Sequence, residues 1–153
     1  MRAVVQRVSE ASVTVDGVIR GKIEKGLLVY IGIAQEDSES DANWLIEKIP
    51  NLRIFNDNNG VMNLSLNDLN TGSDKASLLA ISQFTLLADA RKGRRPSWNG
   101  AAPPEKAKKF YEYFIEKIRM QGVVCECGEF QAHMKVSYTN DGPVTIILDT
   151  KDL

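Results

Sequence analysis

From Ala3 to Val15 the chain interleaves valines with polar residues, a pattern that predicts a strand. Asp16-Gly17 turns the chain, and Val18 to Ile23 is the return strand of a hairpin. After Gly26 the run Leu27-Leu28-Val29-Tyr30-Ile31-Gly32-Ile33 is continuously apolar, as befits a strand buried on both faces. Ser77 to Leu87 reads as another largely apolar strand. Val123 to Glu126, Met134 to Tyr138 and Val144 to Leu148 complete the set, with Asp141-Gly142 read as a hairpin turn between the last two.

Two stretches change period. Ser38 to Ile49 places Ala42, Leu45, Ile46 and Ile49 on one helical face, with Ser38, Ser40 and Asp41 as capping candidates. Pro50 should end that helix. Pro103-Pro104 opens a second helix, whose apolar stripe runs through Ala107, Phe110, Tyr111, Phe114, Ile115 and Ile118, and Gly122 stops it. Asn56 to Gly60 is a turn or exposed loop, Leu64 to Gly72 fits neither period, and Asp89 to Asn99 is a polar, basic loop. Two main helices and about seven strands, with no linker between them, predict one α/β domain over residues 1–153. The two ends echo each other: Ser12-x-Thr14-x-Asp16-Gly17 and Ser137-x-Thr139-x-Asp141-Gly142 suggest two similar strand-turn-strand units.

Composition narrows the function classes. The chain has 153 residues, 43% apolar and 25% charged, which is ordinary for a globular domain with a real core. A net charge of −1 gives the whole molecule no basic field, so any nucleic-acid contact must use a local patch. The opening MRAVVQRVSEASV has short apolar runs broken by Gln6, Arg7 and Glu10, unlike a signal peptide, and no stretch is long enough to span a membrane. The cytoplasm is the expected compartment. Cys125 and Cys127 are two apart on one strand, a spacing that suits neither a zinc site nor a disulfide, so they read as reduced, small apolar residues.

Candidate chemistry is sparse. The only histidine, His133, sits in GEFQAHMKV with no acid-rich neighbourhood and reads as structural or exposed rather than as a triad member. No glycine-rich phosphate loop and no metal-ligand constellation appears, so an enzyme here is expected to work without metal or cofactor. Three stretches remain. Ser82-Gln83-Phe84-Thr85 brings hydroxyl, amide and aromatic groups to the end of a buried strand, where they either find partners or face a cleft. Arg91-Lys92-Gly93-Arg94-Arg95 puts four of the 19 basic residues within five positions, a loop suited to gripping phosphates or merely solvated. Gly142-Pro143 is the third. X-Pro bonds are mostly trans, and the residues alone favour trans here. A cis bond would bring the neighbouring Cα atoms to about 2.9 Å and turn two carbonyls to one side, a rigid acceptor surface without an N–H.

Together these stretches resemble one family, the D-aminoacyl-tRNA deacylases, formerly D-tyrosyl-tRNA deacylases. The likeness runs end to end: MRAVVQRVSEASVTVDG at the start, LRIF at Leu52 to Phe55, MNLS at Met62 to Ser65, SQFTL at Ser82 to Leu86, RKGRRPS at Arg91 to Ser97, AAPP at Ala101 to Pro104 and NDGPVT at Asn140 to Thr145. SQFTL and GPVT are the family signatures. The resemblance implies a barrel-like, largely antiparallel or mixed sheet, and a homodimer with active sites at the subunit interface. The implied partner is D-aminoacyl-tRNA or glycyl-tRNA.

On this resemblance Ser82, Gln83, Phe84 and Thr85 line the pocket for the aminoacylated terminal adenosine. Gly142-Pro143, cis in the family, reaches into the partner's pocket as a chiral gate, its carbonyls holding the amino group. Arg7 orients that step and Met134 packs beside it. Arg91, Lys92, Arg94 and Arg95 are expected to contact tRNA. Thr85 is either a nucleophile or a supporting group in a site where backbone amides near Phe84 and Thr85 stabilise the oxyanion and the ribose 2′-hydroxyl helps activate water. Pro50, Trp98 and Cys125-Glu126-Cys127 depart from the family pattern without touching either signature. The rival classes are a non-catalytic nucleic-acid-binding module and a metal-dependent esterase.

Overall fold

A computed structural model describes residues 1–152. A single mixed sheet dominates it. Strand β1 (Arg2–Val15) is the organiser: its first half pairs antiparallel with β3 (Gly26–Gly32) and its second half with β2 (Val18–Ile23). The β1–β2 hairpin closes through Asp16 and Gly17, both at positive φ, as a two-residue turn of this twist requires. Along its other edge β1 pairs with a long C-terminal strand from Lys135 to Asp149.

The apolar run at Leu27 forms β3 and is buried almost throughout. It pairs in parallel with the Ser77–Ser82 strand, which in turn pairs in parallel with Cys125–Cys127. Between them lie α1 (Glu39–Lys48), a minor hairpin of β4 (Phe55–Asn56) with β5 (Met62–Leu64), and α2 (Leu66–Thr71). The remaining elements in chain order are β6 (Ser77–Ser82), α3 (Pro104–Met120), β7 (Cys125–Cys127) and β8 (Lys135–Asp149). The single-domain α/β reading with a mixed, nearly closed sheet therefore stands.

Two cores flank the parallel strands. One face of β3 and β6, through Leu27, Val29, Leu78 and Ala80, packs against Leu45 of α1 and Phe114 of α3. The opposite face, through Leu28, Leu79 and Ile81, packs on Val8, Ala11 and Val13 of the distal half of β1 and on Ile23 of β2. β1 thus changes sides along its length, carrying β2 and the start of β8 over the sheet. This curl makes the sheet barrel-like.

Four sequence expectations need correction. The Leu64–Gly72 segment supplies a third helix, α2, capped by Ser65, whose hydroxyl accepts from the Asp68 amide. Six residues are too few for a helical period to show. The strand at Ser77 ends at Ser82, and Phe84–Leu87 is a 3-10 turn. The last strand of the parallel set is Cys125–Cys127 rather than Val123 to Glu126. Finally, Asp141-Gly142 is not a hairpin turn. β8 runs on through it, and both of its flanks pair with β1.

Both cysteines are free; Cys125 is buried in the core, and burial pushes its thiol up to about 12. That keeps it protonated and unreactive at neutral pH. The α-ammonium of Met1 is also buried, 2.7 Å from Asp37 Oδ1 and 2.5 Å from Thr150 Oγ1, which ties the start of β1 to the end of β8.

Gly26 of β3 faces Ser77 of β6 across the ladder. A Cβ built there stands 1.8 Å from the Ser77 carbonyl oxygen, a backbone atom that cannot swing aside. Gly26→Ala is expected to cost about 3 kcal/mol as an overpacked site. Thermal unfolding followed by circular dichroism should show Tm lowered by roughly 10 °C; an unchanged Tm would mean that the strand pair is free to spread.

Candidate functional site

A cleft of about 630 Å³ opens beyond the C-terminal ends of the parallel strands β3 and β6. Ligand sites favour that end of parallel strands, because the chain leaves the sheet there in loops. Its floor is Ile31, Ile33 and Ile81; Pro104 and Ala107 of α3 close one side, and Phe130 to Met134 another. A cleft of this size, mostly apolar with a few polar groups, suits a small organic moiety.

Ser82, Gln83 and Phe84 all line it, and Thr85 does not. Ser82 is the last residue of β6, so its side chain points where the ladder gives out. The Gln83 amide still donates to the Ile31 carbonyl at 2.8 Å, which anchors the departing chain to β3. The 3-10 turn then begins. Among the described residues the Phe84 and Thr85 amides have no acceptor, as expected of the first N–H groups of a helical turn. Thr85 Oγ1 accepts from Gln83 Nε2 at 2.5 Å and meets no basic group. Phe84 is 57% exposed and stands edge-on to Trp98, ring centroids 5.8 Å apart. This aromatic pair forms part of the rim.

Sequence reasoning missed His133, which lines the cleft although its surroundings in the chain gave no hint of one. Only the path of the Phe130–Met134 segment across the ends of β3 and β6 puts it there. Met134 also lines the cleft and packs against the second core.

The basic loop lies beside Trp98 and is pinched shut by paired hydrogen bonds between Asp89 and Ser97. Arg91 folds back onto Asp89, Nε to Oδ1 at 2.8 Å and Nη2 to Oδ2 at 2.7 Å, and these bonds hold the carboxyl well below the usual range. Lys92, Arg94 and Arg95 are exposed and make no ion pair among the described residues. The loop thus brings three free cations, not four.

Gly142 and Pro143 lie elsewhere. Gln6 pairs with Thr145 and Val8 with Asn140, so a single β1 residue, Arg7, faces Asp141, Gly142, Pro143 and Val144. Those residues bulge out of the strand, and the Gly142-Pro143 bond is cis. Arg7 is only 7% exposed and holds the bulge. Its Nε lies 3.2 Å from the Asp141 carbonyl and 3.1 Å from the Asp141 carboxylate, while Nη1 donates to the Ile54 carbonyl at 2.7 Å and to Asn56 Oδ1 at 3.2 Å. The alternation of β1 alone would not have singled out a buried arginine. Met134, just before β8, and Gly142 are eight residues apart on a chain that rises about 3.3 Å per residue when extended, so they lie up to about 26 Å apart within one chain. The bulge does not enter the cleft of its own chain.

This cleft and this bulge can be set beside known proteins. The family model of D-Tyr-tRNA(Tyr) deacylases matches residues 4–149. The chain belongs to the D-aminoacyl-tRNA deacylase family. It is 59% identical over 152 residues to the D-aminoacyl-tRNA deacylase of Thermosipho melanesiensis, covering 99% of this chain and 98% of that one. The same enzyme of Koribacter versatilis is 58% identical over 151 residues, with the same coverage. Among solved structures, the c-Myc DNA unwinding element binding protein superposes with a TM-score of 0.89 at 40% identity, over 98% of this chain and 99% of that chain. Membership makes the chain an ester hydrolase acting on aminoacyl-tRNA.

Proposed function

We propose that this enzyme is a chiral proofreader that hydrolyses D-aminoacyl-tRNA, cleaves glycyl-tRNA as well, and rejects the L esters. The reading rests on one observation: a rigid backbone bulge at Gly142-Pro143, fixed by a buried arginine, stands exposed and away from the cleft of its own chain. A bulge so placed serves a cleft only in a second copy. The working unit is therefore a homodimer in which each Gly142-Pro143 step enters the partner's cleft beside Met134. β8 supports this pairing. Among the described residues it bonds to β1 alone, which leaves the outer edge of a 15-residue strand without a ladder partner there, and it exposes Tyr138 and Ile147. No helix among the described residues is long and apolar enough to cross a membrane. The cytoplasm, where aminoacyl-tRNA is used, is the proposed compartment.

The chemistry follows from the groups in the cleft. The terminal adenosine and its amino acid enter between Phe84 and the Phe130–Met134 segment. Carbonyls of the Gly142-Pro143 step accept from the α-ammonium, and the backbone occupies the space an L side chain would need. Backbone rejects more sharply than a side chain, because the clash cannot relax. A glycyl ester has no side chain to clash. Water adds to the ester carbonyl, and the free amides of Phe84 and Thr85 stabilise the oxyanion. The ester C–O bond then breaks, the ribose 3′-oxygen takes a proton, and the amino acid leaves. The 2′-hydroxyl of the same ribose orients the water. Thr85 is supportive, since its hydroxyl bonds to an amide and not to a base.

The deciding experiment compares deacylation of matched D- and L-tyrosyl-tRNA, each with and without chelator. Cleavage of the D ester alone, unaffected by chelator, is expected; no cleavage of either would leave a tRNA-binding module. Gly142→Ala puts a Cβ 2.9 Å from Arg7 Nη2 and from Val144 Cγ2 at a φ of +120°, so the step must shift. Displacement of this kind should lower D-ester cleavage by about a hundredfold.

Thr85→Ala should cost about tenfold in kcat, the loss of one supporting hydrogen bond. Loss of all activity with binding intact would make Thr85 the nucleophile. Removing Arg94 or Arg95 should weaken tRNA binding at every sequence and reduce the slope of log Kd against log salt by about 1 each. An unchanged slope would move the phosphate contacts off this loop.

A further inference from the structure

The bulge that carries Gly142-Pro143 is held by more than Arg7. Asn140, the last residue paired with β1 before the bulge, turns its side chain across the gap. Its Nδ2 donates to Thr145 Oγ1 at 3.1 Å, and its Oδ1 accepts the Val144 amide at 3.3 Å. Thr145 is the first residue back in register, and its Oγ1 also accepts from Gln6 Nε2 of β1 at 3.1 Å. One carboxamide therefore joins the two feet of the bulge, and Gln6 pins the far foot to the neighbouring strand. The residue type matters here. Val144 N–H has lost its ladder partner to the bulge and needs an acceptor. Thr145 Oγ1 offers a lone pair and takes a donor. A short side chain with both at once is asparagine.

We propose that Asn140 is a positioning residue for chiral selectivity, acting with Thr145 as a latch that fixes how far the Gly142-Pro143 backbone projects. The inference rests on the gate assigned above. Arg7 grips the bulge at Asp141, on one flank. Without the latch Val144, next to the gate on the other flank, loses the partner of its amide and is free to shift while Gln6 still holds Thr145, and a backbone that can move aside no longer excludes an L side chain. Neither Asn140 nor Thr145 lines the cleft, so the latch acts through the bulge and not on the reacting atoms.

The test is a double-mutant cycle read out as selectivity. Asn140→Ala, the near-isosteric Thr145→Val, and the pair are assayed for kcat/KM on D- and L-tyrosyl-tRNA, with Tm measured for each. Each single variant should raise the L-to-D ratio by about tenfold, with a higher KM for the D ester, as loss of a positioning hydrogen bond implies. The double variant should do no worse than the singles, because both changes break one latch. Thr145→Val keeps the test alive if Asn140→Ala fails to fold. Lower Tm values with an unchanged L-to-D ratio would make the latch merely structural and overturn the proposal. So would strictly additive effects in the double variant. If the wild-type enzyme does not separate the D and L esters, the gate itself fails, which is a different result from a discriminating wild type and equally discriminating variants.

Discussion

The architecture turns on a register mismatch between β1 and β8 that one buried guanidinium holds open. Two antiparallel strands of this length would ordinarily pair without interruption. Here one residue of β1 faces four of β8, and the excess is expelled as a bulge. Burying a charged arginine costs several kcal/mol unless its donors are met. Arg7 meets them with the Asp141 carbonyl and carboxylate, the Ile54 carbonyl and Asn56. The charge is thus stable only when the bulge and the β4–β5 hairpin are both in place. That mutual dependence makes the bulge a fixed object rather than a mobile loop.

The cleft has a different origin. It exists because β3 and β6 are parallel and stop together, leaving Ser82 and Gln83 at the point where the chain leaves the sheet. The 3-10 turn that follows frees two amides and lifts Phe84 to the rim beside Trp98. The bulge interrupts the middle of the β1–β8 ladder and does not line the cleft. In the proposed dimer this separation is useful: the group that binds the ester and the group that inspects its chirality come from different chains. Each can then be rigid on its own scaffold.

Electrostatics add a coarse steering surface. The molecule is nearly neutral, so it has no long-range pull on a polyanion. Lys92, Arg94 and Arg95 concentrate positive charge next to the aromatic rim, while Arg91 is spent on Asp89. The pinch between Asp89 and Ser97 keeps that charge close to the cleft mouth.

The sequence by itself determined the strands with strong apolar runs, the two long amphipathic helices, and the chemistry-bearing segments. SQFTL, the basic loop and GPVT could be named from their residues because each breaks the local pattern of burial or charge. Periodicity is a property of neighbouring residues, so it was silent wherever distant ones decide. Asp141-Gly142 has turn chemistry, yet β8 continues through it, because Arg7 on another strand supplies partners that a turn would not need. The strand at Ser77 stops at Ser82 because β3 ends beside it, not because of its own composition. His133 enters the cleft, and Arg91 leaves the set of free cations, through contacts that no spacing encodes. Local sequence fixes what each segment prefers; only the packed sheet decides which backbone groups go unpaired, and here those groups lie at the candidate site and at the proposed gate.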